Sequence, residues 1–133
     1  MQPRILAVDL QGKVAFLEVK ASASYHRRWV LQKKYAQPEN DPIPLASRFV
    51  CCVDLAVPQG EPVVYIFPAS VVAAGLRYYF SGRFPKSDSY HLSLDFKPQG
   101  RTKDALVQTV GEHINAEKYR EDYEILNVDR LLV

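Results

Sequence analysis

The sequence predicts a single α/β domain, and three observations carry that expectation. The first half holds four β-rich runs, RILAVDL, KVAFLEVK, FVCCVDLAV and PVVYIFPAS. The last third repeats apolar residues at helical spacing. No internal repeat, low-complexity tract or dividing linker interrupts the 133 residues, a length that suits one core.

Residues 4–10 and 13–20 are separated by Gln11-Gly12, which suits a tight antiparallel turn, so the chain is expected to open as a hairpin. Residues 21–47 lack a sustained apolar period, and YAQPENDPIPLAS carries three prolines, which reads as a long functional loop. Residues 49–57 and 62–70 supply two more strands across Pro58-Gln59-Gly60, giving a four-strand sheet. VVAAGLRYYF follows as a short helix weakened by Gly75. Residues 81–101 read as loop with one extended piece, HLSLDF. From Thr102, read as a cap, Leu106, Val110 and Ile114 and then Tyr119, Tyr123 and Leu126 recur at helical spacing, so the chain is expected to close in helix.

The formal charge of +2 and pI near 8.5 are mild, so bulk charge does not select nucleic acid, membrane or an acidic substrate. The early apolar runs are broken by Asp9, Lys13 and Glu18, which excludes a signal sequence or spanning helix there. A soluble, cytoplasmic protein with no membrane partner is expected. Cys51 and Cys52 are strand neighbours that point to opposite faces, so they read as packing residues in a reducing compartment. His26, His91 and His113 have no metal-ligand spacing, and no nucleophile elbow or glycine-rich phosphate loop is present.

The chemistry-bearing pair is Glu18 and Lys20, two residues apart on one strand and therefore on one face. A carboxylate there can hold a hard divalent cation together with the backbone carbonyl of Val19, while the ammonium assists an attacking water and steadies phosphate charge. A second signal lies between Val19 and Pro38, where no acid occurs. Lys20, Arg27, Arg28, Lys33 and Lys34 alternate there with Tyr25, Trp29 and Tyr35. Cations that neutralise phosphates and aromatics that stack on bases make this the best nucleic-acid footprint in the chain, with Ser22 as a further phosphate donor.

The strand ILAVD, the turn QGK, the strand VAFLEVKAS with its acid-x-lysine, a loop with Trp29, and the strands FVCCVDL and PVVYIFPAS together resemble the PD-(D/E)XK nuclease-like superfamily. The resemblance covers most of residues 4–126. It implies a restriction-endonuclease-like fold, a central mixed four-strand sheet flanked by helices, without the N-terminal helix usual in that superfamily. It also implies Mg2+- or Mn2+-dependent phosphodiester hydrolysis of nucleic acid, DNA above all, with Glu18 as metal ligand and Lys20 as catalytic lysine. A homodimer or partner subunit is expected over the sheet face that the missing helix leaves open.

One element of that motif is out of place. If Leu10 faces Lys13 across the turn, Ile5 lies opposite Glu18, and the metal aspartate belongs near positions 3–5, which hold Pro3, Arg4 and Ile5. Asp9 is the only acid on that strand and lies four residues, about 13 Å at about 3.4 Å per residue, from the point opposite Glu18. Either Arg4 has replaced the cation and the protein is a non-catalytic DNA-binding or assembly module, or Asp9 or Asp54 completes a rearranged site.

Overall fold

A computed structural model describes residues 4–8, 14–24, 26–57, 60–80, 89–97, 108–126 and 130–132. All four expected strands are present: β1 (Arg4–Val8), β2 (Val14–Ser22), β4 (Arg48–Asp54) and β5 (Val63–Pro68). They form a mixed sheet in the order β5-β4-β2-β1, in which β2 and β4 run parallel and the other neighbours antiparallel. A fifth strand, β7 (Arg130–Leu132), adds to the free side of β1, so the chain closes in strand rather than helix. The α/β class holds.

The segment expected to be loop contains a strand. β3 (Arg28–Gln32) pairs antiparallel with β6 (Ser89–Ser93) in a separate two-strand sheet, and β6 falls on the extended piece anticipated there. In β3 the pattern strictly alternates: Trp29 and Leu31 are buried while Arg28, Val30 and Gln32 are exposed. Five residues of alternation are too few to stand out against the prolines that follow.

α1 (Ala69–Tyr79) forms where expected, starting directly after Pro68. Gly75 is tolerated in its middle because a Cβ there would meet Leu92 at 3.0 Å and Ile114 and Val110 at 3.3 Å, so the absent side chain is what lets β6 and the next helix approach. That helix, α2, is a single turn (Val110–His113). Its cap is Thr109, whose hydroxyl accepts from the Glu112 amide while the Glu112 carboxylate accepts from the Thr109 amide, a reciprocal capping box. Thr102 and Leu106 lie outside the described residues. The later helical spacing resolves into two 3-10 turns, Ala116–Tyr119 and Tyr123–Leu126, because Asn115 and Glu121 both adopt positive φ and break the run.

Strand alternation divides the core. Val50, Cys52, Tyr65 and Phe67 face a large cluster with Trp29, Leu31, Val72, Leu76, Leu92 and Val110, so β3, β6 and both helices lie on one side of the sheet. Ala15, Leu17, Phe49, Cys51 and Ile66 face the other side, where Leu126 of the last 3-10 turn covers them. On that second face Leu17 and Ile66 are buried within the single chain. Both cysteines are free and buried, and burial pushes the Cys51 thiol up to about 11, as packing residues require. No helix among the described residues is long and apolar enough to cross a membrane.

Gly111 is the tightest joint, since its amide donates to the Leu94 carbonyl at 2.8 Å and a Cβ would stand 2.8 Å from that same oxygen. Backbone on both sides prevents relaxation. Gly111→Ala is therefore expected to destabilise the fold by about 1–3 kcal/mol in urea unfolding, despite the higher helix propensity of alanine.

Candidate functional site

β2 is the central strand of the hairpin side of the sheet, and its even-numbered residues point toward the large core. Glu18 and Lys20 therefore share one face, as the period-two argument requires. Glu18 is buried, and the hydroxyl of Tyr35, also buried, donates to its Oε2. The Lys20 ammonium lies 5.3 Å from the centroid of the Tyr35 ring, and the Lys34 ammonium lies 5.5 Å from the same centroid. One tyrosine thus joins the acid and both amines.

This arrangement settles the electrostatics of Lys20. Partial burial holds its pKa below the usual lysine value, Glu18 pulls it back up, and the neighbouring Lys34 charge pushes it down.

The hairpin register differs by one residue from the expected one. Val8 pairs with Val14 and Arg4 pairs with Glu18, so the ladder is centred on Gln11 instead of between Gln11 and Gly12. Arg4, not Ile5, occupies the position across from the acid. Asp9 lies outside the described residues. Asp54 lies across from Ser22, four positions along the strands from Glu18, with its Oδ1 accepting from the Ala56 amide, so it does not approach the site.

Beyond Tyr35, Glu18 borders a cavity of about 10 Å3, the size of one water, which it shares with Arg48, Phe16, Phe49 and Ile43. Arg48 is buried, its Nη1 donating to the Pro38 carbonyl at 2.6 Å and its Nη2 lying 3.6 Å from Asp41 Oδ2. On the outer side of Arg48 opens a surface pocket of about 220 Å3, lined also by Lys34, Gln37, Asn40, Asp41 and Pro42. Arg48 is the partition between the two spaces.

Asp9, a candidate ligand for magnesium or manganese, lies outside the described residues. Such an ion takes several hard oxygens at close range, and the described residues contain no group of three metal-ligating side chains. Glu18 accepts the Tyr35 hydroxyl and is paired in the ladder with Arg4. Val19, whose carbonyl was the expected auxiliary ligand, pairs with Cys51 in the parallel ladder.

The basic segment splits into two groups. Trp29 is buried with its indole N–H donating to the Val53 carbonyl at 3.0 Å, and it packs edge-on against Tyr65, so it anchors the β3 sheet and cannot stack on a base. Arg27 is spent on folding. Its Nε donates to both Asp95 oxygens, and its Nη1 donates to Tyr65 Oη at 2.8 Å and Glu117 Oε1 at 2.7 Å; Asp95 above all raises its pKa. This network holds Arg27 at φ 50, a left-handed conformation costing about 1–2 kcal/mol. Ser22 Oγ accepts from the Ser24 amide, closing a turn after β2. Arg28, Lys33 and Lys34 are solvent-exposed.

Sequence reasoning treated Tyr35 only as an interleaved aromatic and passed over Arg48. Neither carries a local signal, since Tyr35 lies 17 residues from Glu18 and Arg48 acts through loop backbone. Comparison of the chain with protein-family models, with characterised proteins and with solved structures found no match in any of the three.

The Glu18–Lys20 coupling is directly measurable. In a 13C titration of the Lys20 side chain, its pKa is expected below 10.5, and Glu18→Gln is expected to lower it further by removing the attracting charge. A Lys20 titration indifferent to Glu18→Gln would show that the two groups do not sense one another.

Proposed function

We propose that this protein is a nucleic-acid-binding module on a restriction-endonuclease-like scaffold, in which the former metal acid has a structural role and hydrolysis has been lost. The observation that carries the reading is the pairing of Arg4 with Glu18, an arginine across from the acid where a nuclease of that type has its second carboxylate. The Tyr35 hydroxyl on Glu18 supports the same reading, because a buried carboxylate already holding a donor has less capacity left for a metal.

Binding works through the two ammoniums that flank Tyr35. Lys20 and Lys34 are held close enough for each to feel the other, and the single Glu18 carboxylate beside Lys20 offsets only part of their combined charge, so an anion is still attracted. A backbone phosphate lodged there relieves the repulsion and releases condensed counterions, and the exposed Lys33 and Arg28 extend the attraction along the strand. Magnesium or manganese has no place in this mechanism.

The test pairs fluorescence anisotropy on labelled single-stranded and duplex DNA with a plasmid-nicking assay in magnesium or manganese. With about three or four phosphates neutralised, affinity is expected to fall by about tenfold to hundredfold between 50 and 200 mM salt. Lys34→Ala should reduce that slope, and the plasmid should stay intact. Nicking by the natural protein that Lys20→Ala abolishes would overturn the loss of catalysis and mark a working nuclease. Absence of binding at 50 mM salt would remove the nucleic-acid reading altogether.

A further inference from the structure

We infer that the pocket between Lys34 and Arg48 receives the base of an adenine nucleotide whose phosphate lies on Lys34 and Lys20; the inference rests on the nucleic-acid reading above and extends it to a base preference. Size comes first. At about 220 Å3 the pocket is smaller than the roughly 300–1,000 Å3 of sites that enclose a whole drug-sized ligand, so it suits a planar ring with the rest of the molecule outside.

Polarity comes next. The Arg48 guanidinium forms the inner wall beside Asp41, and the two charges offset one another. Asp41 is fixed in place, its Oδ1 accepting from the Ile43 amide at 2.9 Å. Pro42 offers a flat apolar ring. Such a wall favours an uncharged, polar, flat ligand over a free anion or a lipid chain.

The recognising groups are Gln37 and Asn40. Asn40 Nδ2 donates to Gln37 Oε1 at 3.3 Å, which leaves the Asn40 carbonyl as an acceptor and the Gln37 amide nitrogen as a donor. Reversing both amides leaves one donor and one acceptor again. Among the described residues neither side chain makes another hydrogen bond. An adjacent donor and acceptor match adenine, whose N6 amino group donates beside an accepting ring nitrogen, the pairing that asparagine and glutamine favour. Adenine presents this pattern on both its Watson–Crick edge, at N6 and N1, and its Hoogsteen edge, at N6 and N7. Cytosine presents it on one edge only; guanine, with N1–H beside O6, and thymine, with N3–H beside O4, also set a donor beside an acceptor, and the preference of asparagine and glutamine for adenine is what selects it among them.

Lys34 joins the pocket to the phosphate position, since it lines the pocket and stands over Tyr35 beside Lys20. An adenine in the pocket and its own phosphate at the two ammoniums engage one nucleotide from both ends. Bases splayed from a single strand are accessible in this way, whereas paired bases are not.

The experiment measures anisotropy of labelled oligo-dA, oligo-dC and oligo-dT of equal length at 50 mM salt, with AMP as competitor. Oligo-dA is expected to bind about tenfold more tightly than the others. Asn40→Leu, an exposed position, should erase that preference, while Lys33→Ala should weaken all three oligonucleotides alike. Displacement of oligo-dA by AMP would assign the pocket to free nucleotides as well as strands, and preference without displacement would assign it to strands alone. Equal affinity for the three oligonucleotides, unchanged by Asn40→Leu, overturns the base pocket while leaving the proposed function standing. A preference for oligo-dC overturns the choice of adenine. No binding to any of them overturns both.

Discussion

The parallel pairing of β2 with β4 is the constraint from which the rest of the structure follows. Parallel neighbours cannot be joined by a tight turn, so the 25 residues from 23 to 47 must leave the sheet, cross one face and return. That obligatory excursion supplies β3, the Tyr35 turn and the pocket loop. It also seals the face it crosses: Trp29 and Leu31 enter the core, and Tyr35 reaches down to Glu18. The candidate site is a by-product of how the crossover is anchored.

Burying charge at that anchor requires partners, because an unpaired carboxylate or guanidinium away from water is strongly unfavourable. Here the Tyr35 hydroxyl donates to Glu18, and Arg48 donates to the Pro38 carbonyl beside the Asp41 carboxylate. Arg27 does the opposite at the far end of the crossover, gathering Asp95 and Glu117 around one guanidinium and tying β6 and the turn after α2 to the start of β3. Arg27, read from the sequence as a nucleic-acid contact, and Arg48 are therefore engaged within the fold, and the cations left for a ligand are fewer than the composition suggests.

Much of the sheet was legible because its strands are β-rich, apolar and bounded by turn residues. The four strands and α1 follow from such local signals. The hairpin register was not, because a one-residue change in the centre of the turn exchanges Ile5 for Arg4 opposite Glu18, and local turn preference does not resolve that difference. β3 went unseen for want of length, and β7 because three residues carry no periodicity. The pairing of Glu18 with Lys20 on one face was visible from alternation alone. Its surroundings were not: Trp29 and Arg27 looked like ligands for nucleic acid, and only the long-range contacts with Val53, Tyr65, Asp95 and Glu117 reassign them.

The outer edge of β5 shows a further economy. Between the last two 3-10 turns the chain forms a lone bridge between Arg120 and Tyr65, and Glu121 then grips Val64 twice, its amide donating to the Val64 carbonyl at 2.7 Å and its carboxylate accepting from the Val64 amide at 3.0 Å. A side chain here stands in for a neighbouring strand. Open-ended growth of a sheet from molecule to molecule needs two receptive margins on every subunit, one to give and one to take. With Val64 and Tyr65 engaged by residues 120–121 of the same chain, this margin offers fewer unpaired backbone groups to a strand of another molecule.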